Sequence, residues 1–357
     1  MSSQRSGLKW LAGATALTLV LVLGPAGCAH RVRPDVQRPF TMVMLPDTQH
    51  YSRKWPELFL AQTEWIKSNR DKESIVFVTH VGDIVNDHGK DTNQWEVANK
   101  ALSVLDGVVP WGACIGNHDY DSVTRHPDAG KTFVKYFGPQ RFARYSWFGG
   151  ASTNGMNSYQ LLAAGGIDFL ILHLQLDVPD FAIAWASEVL RAHPNRAAIV
   201  TTHSYLNGVN GVNGYNTPVS RYGNSGEAVW TKLIRCHPQI CLVLCGHHQL
   251  TVAYHQISTN DAGRRVPEIL ADYQKGRNGG DAWLRLLRFH PAEGTIEVQT
   301  YSPALKAFQT DSKNQFVVPL DLPPNVRRSK SSSASTSAHG GRLWAWTNRT
   351  DVAKAHR

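Results

Sequence analysis

Short apolar runs alternate with longer amphipathic stretches along this chain. Residues 40–45, 75–81, 108–115, 167–176, 197–202 and 240–245 are rich in Val, Ile, Leu and Phe, and predict buried strands. Between them, residues 55–69, 92–105, 180–193 and 226–236 predict helices; Trp95, Val97, Leu102 and Leu105 form the apolar stripe of one. Later runs at 251–257, 266–273, 282–289 and 295–301 predict a closing set of strands. Residues 121–165 and 205–225 read as long loops. Residues 207–214 carry three Asn-Gly pairs, hence repeated turns, as a surface loop or as a mobile wall beside a site. This order predicts an α/β domain with a layered sheet.

Nearly every predicted strand ends in a polar cluster. The first leads into Asp47-Thr48-Gln49, the second into Gly82-Asp83 and then Asn86-Asp87, and the third into Gly116-Asn117-His118-Asp119. Residues 197–202 lead into His203, and 240–245 into Gly246-His247-His248-Gln249. In α/β sheets, sites form beyond the carboxyl ends of strands. One Asp after a strand is ordinarily a helix cap, one Asn an Asx turn, and one His a packed side chain. Five such clusters in order predict a shared site instead. Their oxygen and nitrogen donors suit Mn, Fe or Zn. Asp87 reads as a brace for the loop after Asp83, and His80 as packing.

These residues resemble the calcineurin-like metallophosphoesterases. Asp47-x-Gln49, Gly82-Asp83-x-x-x-Asp87, Gly116-Asn117-His118-Asp119, His203 and Gly246-His247 carry the resemblance over roughly residues 40–305, in a form similar to a bacterial secreted branch. It implies a four-layer αββα sandwich with two stacked mixed sheets. It implies two divalent metal ions, with Mg also possible, and hydrolysis of a phosphate-ester substrate, monoester or diester. Asp83 would bridge the ions; Asn117, His203 and His247 would complete one site, and Asp47 would serve the other. His118 would act near the leaving oxygen, with Asp119 orienting its ring. Gln49 and Gln249 stand where the family pattern has His, so one site would be weaker or prefer a harder ion such as Mn or Mg. A non-catalytic phosphate-binding protein on the same scaffold is the alternative, and a cell-surface adhesion module a further one.

Charge and the chain ends complete the picture. The 357 residues carry a formal +9, with 42% hydrophobic and 18% charged residues, an ordinary globular balance. Residues 1–39 hold a net +4 and 323–357 a net +6, which leaves the middle at −1. No nucleic-acid groove is expected of so neutral a middle. Residues 1–28 read as a lipoprotein-type signal: Arg5 and Lys9, an apolar stretch over 11–23, then small residues before Cys28. Cys28 would be lipidated and tether the chain to a membrane through residues 29–38; a cleaved soluble form and an uncleaved anchor are the other outcomes. The expected domain spans 39–322 and a basic Ser-rich tail 323–357. Cys236 and Cys241 could bridge across a turn, or all the internal cysteines remain buried thiols. Arg125, Arg144 and Arg221 are candidate phosphate contacts. Oligomeric state is not legible here.

Overall fold

The computed structural model describes residues 38–89, 91–207, 214–248 and 252–326. The signal-like residues 1–28 with Cys28, the tether up to residue 37, Gln249 and residues 327–357 of the Ser-rich tail lie outside these residues. In chain order the elements are β1 (Phe40–Leu45), α1 (Gln49–Lys54), α2 (Pro56–Asn69), β2 (Ile75–His80), α3 (Thr92–Ser103), β3 (Trp111–Ala113), α4 (Lys131–Phe137) and α5 (Pro139–Phe142). Then come β4 (Phe148–Ala151), β5 (Ser158–Ala164), β6 (Ile167–Leu174), α6 (Asp180–Ala192), β7 (Ala197–Thr202), α7 (Gly226–Val229) and β8 (Ile240–Cys245). β9 (Ala253–Thr259), β10 (Arg265–Ala271), β11 (Leu284–His290), β12 (Thr295–Ser302), β13 (Ala307–Gln309) and β14 (Gln315–Pro319) close the series.

The strands form two mixed sheets. One runs β13-β12-β11-β1-β2-β3, with β14 also paired to β12. The other runs β4-β5-β6-β7-β8-β10-β9. Side chains alternate across a strand, and that alternation sorts the core into layers. From β1, Met42 and Met44 enter the cluster shared with Phe169, Ile171, Leu242, Leu244 and Ile269 of the second sheet. Val43 and Leu45 point the other way, into the cluster with Phe59 and Ile66 of α2 and Trp95 and Leu102 of α3. From β6, Leu170, Leu172 and Leu174 pack on Ala182, Ala186 and Leu190 of α6. The result is helix, sheet, sheet, helix, as expected of the αββα sandwich. Phe40 binds the two sheets, stacked on Phe289 at 4.8 Å between centroids and edge-on to Phe169 at 5.7 Å.

The structure departs from the sequence reading in several places. The expected loop over 121–165 contains α4, α5, β4 and β5. The β4 residues are all half-buried, so no apolar run marks that strand. β5 and β6 are joined by Gly165-Gly166, both at positive φ, which is the two-residue hairpin that glycine permits. The last expected helix is α7 for four residues and then a wider π turn, Trp230–Ile234. Packing also runs past the expected boundary at 322: Val326 is buried in the inter-sheet cluster, and Asn325 Nδ2 donates to Pro194 O at 2.8 Å. Cys114, Cys241 and Cys245 are buried thiols and Cys236 an exposed one, so no Cys236–Cys241 bridge forms.

Candidate metal centre

β1, β2 and β3 run parallel in one sheet, and β7, β8 and β10 run parallel in the other. Their carboxyl ends meet at one edge of the sandwich. The first sheet delivers Asp47, Asp83 and Asn117; the second delivers His203 and His247. Ligand atoms of Asp83, His203 and His247 all lie within 4.8 Å of one another. Asp83 Oδ2 is 3.3 Å from His203 Nε2, and Asn117 Oδ1 is 3.1 Å from the same nitrogen. Asp47 Oδ1 lies 3.8 Å from His203 Nδ1, and its carboxylate accepts the backbone N–H of His247 at 3.3 Å. Asp47, Asp83, Asn117 and His203 are all buried.

The backbone at this edge is bent to bring the donors together. Gly82 has φ +93°, and a Cβ there would stand 2.8 Å from Gly116 N and 2.9 Å from His203 Nδ1. A Cβ on Gly116 would stand 2.2 Å from Asp83 N. Asp83 and His247 themselves sit at positive φ, 52° and 74°. Non-glycine residues in that region are strained, and such strain collects at functional sites.

Hydrogen bonds set the donor atoms. His203 Nδ1 lies 2.8 Å from the Val81 carbonyl, which can only accept. Its proton therefore sits on Nδ1, and Nε2 faces two oxygens, the usual arrangement behind a metal-binding imidazole. Charges agree with a site short of positive charge. Burial pulls His203 down, but Asp83 and Asp47 outweigh it and raise the ring to about 10. Burial pushes Asp83 up, yet His203 draws it down to a net low value. Asp47 stands well above the usual carboxylate range through burial and then the charge of Asp272. Burial, followed by the His203 charge, lowers His247 to about 3 and leaves it a neutral donor. These donors fit divalent cations: carboxylates, an amide oxygen and neutral imidazoles, with carboxylates that otherwise hold a proton on His203.

His118 stands beside this group. Its backbone N–H donates to Asp83 Oδ1 at 2.8 Å, and its Nδ1 meets Asn86 O at 2.7 Å. Asp119 does not orient that ring, contrary to expectation. Its Oδ1 accepts from Ile84 N and Val85 N at 2.8 and 2.9 Å, and its Oδ2 accepts from Gly116 N at 2.9 Å. Asp119 ties the loop after β2 to the loop after β3, and the Asn86 carbonyl orients His118. Asn86 N in turn donates to Gln94 Oε1 at 2.8 Å, and Asp87 accepts from Asn86 Nδ2 and Gln94 Nε2, so Asp87 braces the loop.

Other candidates turn away from this group of donors. His80 Nδ1 accepts from Gly82 N, and its Nε2 meets Thr48 Oγ1 at 2.9 Å, a packing role. His248 is turned to Asn216 Oδ1 at 2.8 Å. Arg144 and Arg221 are bonded to their neighbours Tyr145 and Tyr222, and Arg125 to Val123 O. Gln49 is buried, and its Nε2 donates to Gln274 Oε1. Sequence reasoning missed Asp272 and Gln274, which follow β10 at the same edge. The signal was present, since Asp272-Tyr273-Gln274 is a sixth polar cluster after an apolar run. Reading that run through Tyr273 hid it.

The model for "Calcineurin-like phosphoesterase" matches residues 40–251. An uncharacterized protein, YvnB, of Bacillus subtilis (strain 168) is 36% identical over 307 residues, 83% of this chain and 23% of that protein. The chain thus spans less than a quarter of that relative. A dimetal phosphatase from Danio rerio is similar in structure at TM-score 0.50 and 12% identity, covering 81% of this chain and 99% of that one. A purple acid phosphatase, PPD1, from yellow lupin seeds is similar at TM-score 0.52 and 12% identity, covering 84% of this chain and 58% of that one. Those two likenesses show a shared fold. With the family match covering more than half of the sequence, this chain belongs to the calcineurin-like phosphoesterases.

Proposed function

We propose that this chain hydrolyses phosphate esters with two divalent cations held at the sheet edge. The convergence of Asp83, His203 and His247 ligand atoms within 4.8 Å carries the reading. Asp47 and Gln49 would supply donors to one ion and Asn117, His203 and His247 to the other, with Asp83 the residue that both would share. Two such cations, when bound, would supply charge to neutralise phosphoryl oxygens and to acidify a water. The chain's own part is positional and acid–base. Val81 O holds His203 in one tautomer. Asn86 O accepts a hydrogen bond from His118 Nδ1–H, which leaves Nε2 to hold or give a proton at the leaving oxygen. The nitrogen-rich side suits Zn, Fe or Mn, and the oxygen-rich side Mn or Mg. The N-terminal pattern around Cys28 supports work outside the cytoplasm, on a membrane tether or free of it.

The test is metal analysis of the purified full chain, with a panel of phosphomonoesters and phosphodiesters, on wild type and Asp83→Asn. The expected result is two cations and turnover of one ester class in wild type, with both lost in the variant. Turnover that survives Asp83→Asn, or that is unaffected by chelation, would end the proposal.

A further inference from the structure

Asp272 and Gln274, neither of which belongs to the sequence motif, join the motif's Gln49 in a buried polar chain. Asp272 is fully buried, and Gln49 and Gln274 are 3% and 4% exposed. Asp272 Oδ1 accepts the backbone N–H of Gln274 at 3.0 Å, and its Oδ2 accepts Gln274 Nε2 at 2.9 Å. Gln274 Oε1 then accepts Gln49 Nε2. Gln49 Oε1 is buried and meets no hydrogen-bond donor.

The direction of this chain is forced. An ionised carboxylate only accepts hydrogen bonds, so the Gln274 amide must turn its NH2 to Asp272. Its carbonyl is then the group left for Gln49, which must answer with its own NH2. The Gln49 carbonyl is thereby turned the opposite way, with the full charge-assisted chain holding it there. Gln49 lies two residues after Asp47, at the start of α1, and Thr48 N between them donates to Asp83 O at 3.0 Å. We infer that Asp272 and Gln274 are positioning residues that fix Gln49 Oε1 as an oxygen ligand for the second cation, beside Asp47 and Asp83. A free amide would have to give up its rotational freedom when the ion binds, whereas here the oxygen is already held in one orientation. The chain replaces the missing imidazole with a neutral oxygen donor of set orientation. That makes this side of the centre a site for hard divalent cations such as Mn2+ and Mg2+.

The inference rests on the two-cation reading, and its test separates the two. Mn2+ is titrated into the metal-free full chain by calorimetry, with Mn2+ electron paramagnetic resonance to count bound ions. Wild type is expected to bind two Mn2+. Gln274→Met keeps the Asp272 charge and breaks the chain, and is expected to weaken the second ion about 10–100-fold while leaving the first. Gln49→His supplies a ligand that needs no amide orientation. In that background Gln274→Met is expected to change neither ion, and competition by Zn2+ is expected to strengthen. Gln49→Met is expected to lose the second ion alone. The inference is overturned if Gln274→Met leaves both affinities unchanged, or weakens the second ion equally in both backgrounds, since the latter is what packing damage would do. It is also overturned if Gln49→Met still binds two ions as wild type does. Melting of each variant in chelator confirms that it is folded. An active enzyme with one Mn2+ would sink this inference and leave hydrolysis standing; two ions without turnover would do the reverse.

Discussion

At the scale of single residues, the site works by assigning each polar atom one partner. His118 shows this best: Asn86 O takes one ring nitrogen and Asp83 takes the backbone N–H, so little freedom is left. If Nε2 serves the leaving oxygen, His118→Gln should lower kcat about 10²–10⁴-fold, the usual worth of positioned acid–base help, with KM and bound metal nearly unchanged. Steady-state kinetics on the metal-loaded variant check this, and an unaltered kcat would remove His118 from the chemistry. Asp119 belongs to a different class. Its three backbone N–H partners make it a clasp between two loops. Asp119→Asn would face Gly116 N–H with an amide NH2. The expected cost is about 1–3 kcal/mol for the unsatisfied group, read by denaturant unfolding in chelator. Sequence reasoning found the identity of Asp119 but not this role, because spacing does not say which atoms a carboxylate will accept from.

Elements supply what the residues cannot, namely the direction from which each donor arrives. β1, β2, β7 and β8 were legible because nearly every position of each is buried, and all but His80 at the end of β2 are apolar or small. Their polar ends stood out against that background, which is why Asp47, Asp83, His203 and His247 could be read from the chain. β4 is half-exposed throughout, so the same rule could not find it. Asp272 was hidden by a boundary error of two residues at the end of β10, where Tyr273 continues the apolar pattern after the strand has stopped. The turn after β2 is the most constrained of these ends. Gly82→Ala would carry a Cβ at φ +93° into Gly116 N and His203 Nδ1. We expect lowered thermal stability together with weakened metal binding, seen by melting and by Mn2+ titration. A variant that folds and binds as wild type does would show that the close approach of these two loops is dispensable.

For the molecule as a whole, the centre is a joint between sheets, and its occupancy should be readable in stability. The first sheet brings Asp47, Asp83 and Asn117, and the second brings His203 and His247, across a shared apolar layer. Any cation bound there holds the two sheets together and favours the folded chain. At one hundred times its dissociation constant it adds about 2.7 kcal/mol, or about 4–5 °C in Tm for a domain of this size. The pH dependence has a definite sign. Without metal, folding raises His203 from an ordinary 6.5 to about 10 through Asp83 and Asp47. The folded state therefore keeps a proton that the unfolded chain has lost above pH 6.5. That stability is complete below 6.5 and drains away as pH rises towards 10. Buried Glu268, raised to about 7, acts in the same direction, while His80 and His247, lowered to about 3, matter only below 6.5. The metal-free protein should therefore melt at lower temperature at pH 9 than at pH 7. A cation must displace the His203 proton, so its affinity should rise about tenfold per pH unit over the same interval, and its contribution to Tm should grow. The two melting curves are thus expected to diverge as the solution becomes more alkaline. Parallel curves, or a metal-free Tm that climbs from pH 7 to pH 9, would mean that His203 carries no proton for a metal to replace.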